Sequence, residues 1–224
     1  MPERKAVIIG ATGLVGRQLV RFALQDNRYD SVVIITRSPF ETKDPKLVEV
    51  RVKNFDELEK YSSKMNGHDF YCALGTTRSK AGSKEAFLKV DVDYPLAFAD
   101  IAKNQKDFQQ LLVVSSIGAN SSSPLFYNMA KGKLEDELQE LDLKALKIFQ
   151  PSLLLGDRNE IRIFEEIAKV ISAIASFFTI GSKKRVGAIR DVEVAKAMIE
   201  VAHKNEPGFN RYKPGQMIDI AYSS

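Results

Sequence analysis

The chain has 224 residues, 44% of them apolar, with 33 lysines and arginines against 29 aspartates and glutamates and a net charge of +4. That is enough apolar material for a substantial core without staples, and the single cysteine, Cys72, excludes an internal disulfide framework. The two histidines, His68 and His203, stand apart from any cluster of metal-ligating residues, so no metal is expected. Acids and bases are interspersed and Lys183-Lys184-Arg185 is the one tight basic run, which argues against nucleic acid as a partner. The longest apolar stretch, residues 167–180, is broken by Lys169 and too short to cross a bilayer, so no membrane association is expected. Met1-Pro2-Glu3-Arg4-Lys5 leads straight into an apolar strand without a secretory leader, and a cytoplasmic location follows as the expectation.

Short apolar runs alternate with helical patterns, the signature of an α/β fold with a doubly wound parallel sheet. In chain order the patterns predict a strand at 6–9, a helix at 14–24, strands at 32–36 and 47–52, and a short helix at 56–60. They continue with a strand at 69–74, a helix at 84–103, a strand at 110–115, a helix at 126–141 and a strand at 145–149. Helices at 159–178 and 191–203 and a strand near 216–220 complete the reading. With no repeat or linker visible, residues 1–224 read as one domain, to which 151–224 contribute a small C-terminal cap over the substrate side. Ile163, Phe164, Ile167, Val170, Ile171, Ile174, Phe177 and Phe178 share one face of the cap helix. That stripe suits either core packing or the lining of a substrate pocket or dimer interface.

The most informative segment is Gly10-Ala11-Thr12-Gly13-Leu14-Val15-Gly16, which joins the first strand to the first helix. Gly10 permits the sharp turn, Gly13 lets backbone approach a pyrophosphate, and Gly16 lets helix pack close to strand. The helix amino terminus then offers N–H groups and the positive end of its dipole to phosphates. This strand–turn–helix context makes the fold Rossmann-type and predicts a bound dinucleotide. The second strand ends in Thr36-Arg37-Ser38, without the acid that would bond the ribose hydroxyls of NAD. A guanidinium there suits a 2′-phosphate, so NADPH (NADP) is the expected cofactor.

After the fifth strand come Ser115-Ser116 and, eleven residues beyond Ser116, Tyr127-Asn128-Met129-Ala130-Lys131. Tyr127 and Lys131 lie one turn apart on a helix face, an arrangement suited to handing a proton to a carbonyl oxygen, with the Lys131 ammonium expected to stabilise the phenolate and lower the tyrosine pKa. Lys131 could also hold the nicotinamide ribose. Ser116, or alternatively Ser115, would hold the substrate oxygen. Ser116, Tyr127 and Lys131 are therefore the candidate catalytic residues.

These motifs resemble an atypical member of the short-chain dehydrogenase/reductase superfamily. Cys72-Ala73-Leu74-Gly75-Thr76-Thr77-Arg78-Ser79-Lys80-Ala81-Gly82, Val90-Asp91-Val92-Asp93-Tyr94 and Pro151-Ser152-Leu153-Leu154-Leu155-Gly156-Asp157-Arg158 narrow it to the Tat-interactive oxidoreductase-like branch. The resemblance implies cofactor contacts from Gly10, Thr12, Gly13, Leu14, Val15 and Arg37. It adds Leu74, Gly75 and Thr76 beside the adenosine ribose, and Ser115, Tyr127 and Lys131. It also adds Pro151, Ser152, Leu153 and Leu154 near the nicotinamide. Two positions depart from the family pattern: Gln150 stands where an arginine is usual, and Asn54-Phe55 where an aspartate can bond adenine. The function implied is an NADPH-dependent oxidoreductase acting on an unidentified small carbonyl or enone compound. The alternative is an NADPH-binding regulatory or partner-binding protein with little turnover. A protein partner, and either a monomer or a homodimer, remain open.

Overall fold

The computed structural model describes residues 3–155 and 187–223. Strands β1 (Lys5–Ile9), β2 (Ser31–Thr36), β3 (Leu47–Arg51), β4 (Asp69–Cys72), β5 (Gln110–Val114), β6 (Ala145–Phe149) and β9 (Gly208–Tyr212) form one sheet. Its order is β3-β2-β1-β4-β5-β6-β9, with every pairing parallel. A two-stranded sheet pairs β7 (Leu154–Leu155) with β8 (Ile189–Arg190). The strand order reverses between β1 and β4, the switch point at which doubly wound sheets open a crevice at their carboxyl edge. The Rossmann-type doubly wound α/β architecture is therefore the one that the sequence pattern predicts.

The sheet forms because its central strands are apolar on both faces. Val7 and Ile9 of β1, Phe70 of β4 and Leu111 and Val113 of β5 join one core with Phe98, Leu134 and Leu138. Ala6, Ile8, Tyr71 and Leu112 join the other with Leu19, Val20 and Met198. The first face is covered by α4 (Tyr94–Lys103) and α5 (Phe126–Glu140), the second by α1 (Leu14–Gln25) and α6 (Asp191–Lys204). Such two-sided burial gives the unbroken apolar runs read in the sequence.

Three elements differ from expectation. The predicted helix at 84–103 is α3 (Lys84–Leu88), then a π turn (Lys89–Asp93), then α4. Pro95, within the first turn of α4, cannot donate a backbone hydrogen bond, and the Tyr94 N–H reaches back five residues to the Lys89 carbonyl. The expected short helix is a longer 3₁₀ segment (Phe55–Lys64), and a further short helix, α2 (Arg78–Ala81), follows β4. The strand expected at 216–220 is a helix, α7 (Pro214–Tyr222). There Pro214 opens the first turn and the Gln216 side chain accepts from the Lys213 N–H at 2.9 Å. The edge strand is instead β9, whose polar sequence Gly-Phe-Asn-Arg-Tyr reflects one solvent-facing side. The predicted helix at 159–178, its apolar stripe and Lys183-Lys184-Arg185 lie outside the described residues.

The two edges of the sheet are built differently. At the amino edge, buried Asp69 accepts from Arg4 (2.7 and 3.0 Å), Tyr29 (2.7 Å) and Gln110 (2.8 Å), and the Arg4 and Gln110 side chains also reach the Ala202 carbonyl of α6. That edge is filled. The carboxyl edge is lined by loops, and the β5–α5 loop is pressed onto α5 at Gly132. A Cβ there would lie 2.0 Å from the Ser121 nitrogen and 2.1 Å from the Asn120 carbonyl carbon. Gly132→Ala should thus cost about 1–3 kcal/mol through overpacking, lowering Tm by several degrees in a calorimetric scan. An unchanged Tm would contradict this close approach.

Candidate functional site

The glycine loop leaves β1 at Gly10, whose φ of +83° favours glycine. A Cβ at Gly10 would also strike the Ala73 carbonyl group at 2.5 Å, and one at Gly16 would lie 2.0 Å from the Gly10 oxygen. Packing within the chain therefore accounts for both glycines. Gly13 is different. It is exposed, has φ −78° and ψ 173°, and a Cβ there would meet only the Gly10 oxygen at 3.4 Å and the Ala73 oxygen at 3.9 Å. Gly13 stands at the amino cap of α1, where no side chain caps the helix and no acid lies in the first turn. The open backbone and positive helix end fit a pyrophosphate. Thr12 is exposed beside it, Leu14 is partly buried and Val15 belongs to the core.

At the end of β2, the Thr36 hydroxyl donates to the Ser38 carbonyl at 2.7 Å and accepts from the Ser38 N–H at 3.2 Å, closing a tight turn. This turn leaves Arg37 exposed, its guanidinium 5.0 Å from the centre of the Phe55 ring. Phe55 in turn meets Tyr94 edge-on at 5.5 Å, and the Tyr94 hydroxyl donates to the Asn54 side chain at 3.4 Å. Asn54-Phe55, a departure from the family pattern, thus forms the platform on which Arg37 rests.

Tyr127, Lys131 and Glu135 recur every four residues on α5 and turn toward the sheet. Tyr127 is partly buried, with its ring edge-on to Phe87 at 6.0 Å. The Lys131 ammonium is buried 2.7 Å from Asp91, whose other oxygen accepts from the Thr76 N–H at 2.8 Å. Burial alone would lower the Lys131 pKa, but the Asp91 carboxylate, with a smaller contribution from Tyr127, raises it above the usual lysine range. Cys72, at the end of β4, is pushed up to about 12 by burial.

The two serines separate. Ser115 donates its hydroxyl to Glu135 at 2.5 Å, whereas Ser116 makes a long 3.3 Å contact with the Ile117 carbonyl. Glu135 also accepts from Gln150 at 2.9 and 3.0 Å and from Arg211 of β9 at 2.9 Å. Gln150, the other departure from the family pattern, and Arg211 together hold the carboxylate. The Pro151 carbonyl accepts from the Ile117 N–H at 2.9 Å, and the Ser152 hydroxyl donates to the Gly187 carbonyl at 2.6 Å. The Leu153 carbonyl accepts from the Ile189 N–H at 2.9 Å, and Leu154 starts β7. Leu74, Gly75 and Thr76 follow β4. All the candidate residues therefore stand on segments at or beyond the carboxyl edge, or on α5, which packs on one face of the sheet. Their sequence reading missed Asp91, Glu135 and Arg211. Asp91 had a signal, an acid between Val90 and Val92 in an apolar run, and Glu135 had its spacing of four from Lys131. Arg211 had none.

A family model described as the NAD dependent epimerase/dehydratase family matches residues 6–136. Protein HTATIP2 of Rattus norvegicus is 38% identical over 174 residues, 75% of this chain and 70% of that protein. Protein FMP52, mitochondrial, of Debaryomyces hansenii is 34% identical over 204 residues, 88% of this chain and 87% of that protein. Among solved structures, a short chain dehydrogenase from Burkholderia cenocepacia in complex with NADP superposes with a TM-score of 0.66. It has 15% identity and covers 97% of this chain and 90% of that one. The expectation of a cytoplasmic location is overturned by the fungal relatives, which are named mitochondrial. Among the described residues no helix is long and apolar enough to cross a membrane, and no group of side chains could hold a metal ion. The chain belongs to the NAD-dependent epimerase/dehydratase family, as an atypical short-chain dehydrogenase/reductase of the Tat-interactive oxidoreductase-like branch.

Proposed function

We propose that the chain is an NADPH-dependent reductase of a small carbonyl or enone compound. The observation that carries this reading is the convergence of the uncapped α1 amino terminus, Ser116 and the Tyr127–Lys131 face on one edge of the sheet. Gly13, Leu14 and Val15 would hold the pyrophosphate, and Arg37, kept in place on Phe55, the 2′-phosphate. When bound, the nicotinamide supplies hydride to the substrate carbon. Tyr127 then gives its hydroxyl proton to the substrate oxygen, and Ser116, free of the Glu135 carboxylate, donates a hydrogen bond to that oxygen. Lys131 orients the ribose. Ser115 acts indirectly, by fixing the start of the loop to Glu135.

One observation favours a second reading, a cofactor-holding regulatory protein with little turnover. The Lys131 ammonium is already paired with Asp91 inside the protein, so less of its field is available to a phenolate on Tyr127.

Three variants test these assignments. Gly13→Val should fold normally, since only ordinary contacts surround that Cβ position, yet weaken NADPH by at least about tenfold (~1.4 kcal/mol). Undiminished affinity by calorimetric titration would show that the loop is only a turn. The unmodified protein should bind NADPH more tightly than NADH. Arg37→Ala should narrow that preference by about tenfold or more, because a charge-assisted hydrogen bond contributes about 1.5–3 kcal/mol. Equal affinities for the two cofactors before mutation would remove this role from Arg37. For chemistry, aldehydes, ketones, quinones and enones would be screened by NADPH absorbance. On any substrate found, Tyr127→Phe should lose about a hundredfold or more in kcat while keeping NADPH affinity. A Phe variant at the parental rate would refute the proton-donor role; firm NADPH binding with no substrate reduced would favour the regulatory reading.

A further inference from the structure

Asp91 is 1% exposed, and both of its carboxylate oxygens are committed: one to the Lys131 ammonium at 2.7 Å, the other to the Thr76 N–H at 2.8 Å. A buried carboxylate is costly, and apolar residues of similar volume often serve stability as well as a buried ion pair does. Core packing alone therefore gives little reason for an acid here. Its location is more telling. The pair joins α5, one turn beyond Tyr127, to the loop directly after β4 at the open edge of the sheet. The π turn Lys89–Asp93 carries Asp91 into this position. One residue more or less in that turn would swing the side chain about 100° around the helix axis. Gly75 leaves the neighbouring space clear, since a Cβ there would meet only Asp91, at 3.6 Å.

We propose that Asp91 is a positioning residue of the cofactor site, whose carboxylate ties Lys131 to the Gly75–Thr76 loop and so couples the grips on the two halves of the dinucleotide. This rests on the reading above, in which Lys131 holds the nicotinamide ribose and Gly75 and Thr76 lie beside the adenosine ribose. The same carboxylate keeps Lys131 an ammonium. The groups facing Lys131 are Asp91 from the π turn, Tyr127 from α5 and Cys72 from β4. Cys72 stays a neutral thiol, pushed up to about 12 by burial, which leaves Asp91 as the countercharge. Asp91→Asn keeps the shape and an acceptor for Thr76 but removes the charge. Burial then dominates, and Lys131 falls below the usual lysine range. Its positive charge, and the ribose contact it makes, are then lost as pH rises through the lowered value.

The test is NADPH affinity of the full chain against pH, by fluorescence titration, with each variant divided by the unmodified protein at the same pH so that titration of the cofactor cancels. For Asp91→Asn the ratio of Kd values should grow about tenfold between about pH 7 and about pH 9.5. Asp91→Glu, which keeps the charge, should give a ratio independent of pH. A ratio for Asp91→Asn that is also constant with pH would mean Asp91 is merely structural, and overturns the proposal. Lys131→Arg supplies an answer even should Asp91→Asn not fold. Arginine does not lose its proton in this range, so its ratio to the unmodified protein stays constant if Asp91 keeps Lys131 charged; a drifting ratio overturns it. Failure of the unmodified protein to bind NADPH at any pH would instead strike down the cofactor reading itself, and with it this role for Asp91.

Discussion

Around Gly10, backbone from β1, α1 and the loop after β4 comes so close that no side chain fits between. A Cβ on Gly10 would strike the Ala73 carbonyl group, and one on Gly16 would strike Gly10 itself. This contact draws the first turn of α1 down against the switch point between β1 and β4. It therefore sets where the unpaired N–H groups of the helix point. Gly13 is relieved of any such crowding, and the opening left over it suits a ligand that approaches backbone directly. The remaining candidate residues lie on loops that leave the same edge of the sheet or on α5.

Charge is distributed with a similar logic. The amino edge satisfies Asp69 with Arg4, Tyr29 and Gln110, and the Arg4 and Gln110 side chains tie α6 to the sheet through the Ala202 carbonyl. On the other side, α5 presents Tyr127, Lys131 and Glu135 along one stripe. A lysine and a glutamate four residues apart on a surface helix would pair with each other. Here each is drawn to a different element: Lys131 to Asp91, and Glu135 to Ser115, Gln150 and Arg211. The helix is thereby pinned at two levels, through Lys131 to the π turn and through Glu135 to the residues that follow β5 and β6 and to β9. Ser115 is consumed in that pinning, whereas Ser116, also buried, makes only the long contact with the Ile117 carbonyl.

Much of this was legible in the sequence because parallel strands buried on both faces must be apolar throughout. Ala6 to Ile9, Val32 to Ile35 and Leu111 to Val113 announce themselves in that way, and the glycine loop marks the turn between the first strand and helix. The edge strand β9 did not, since Phe209 and Arg211 face solvent and its pattern is not that of a buried strand. The alternation in Met217-Ile218-Asp219-Ile220 imitated a strand, while Pro214 and the Gln216 cap decided for a helix. Pairings across long stretches of chain were out of reach altogether. Nothing in the local sequence of Asp91 names Lys131 as its partner, forty positions on. Likewise nothing near Gln150 shows that Arg211 shares Glu135 with it, or near Asn54-Phe55 that these residues carry Arg37.

The central claim is that a dinucleotide lies over Gly13 at the start of α1. Its most direct test is an amide ¹H–¹⁵N spectrum of the purified chain titrated with NADPH. Saturable shifts are expected, largest at the backbone N–H groups of Gly13, Leu14 and Val15, with accompanying shifts at Arg37, Gly75 and Thr76. Saturable binding that leaves Gly13 to Val15 unmoved, or no binding at millimolar NADPH, would contradict it.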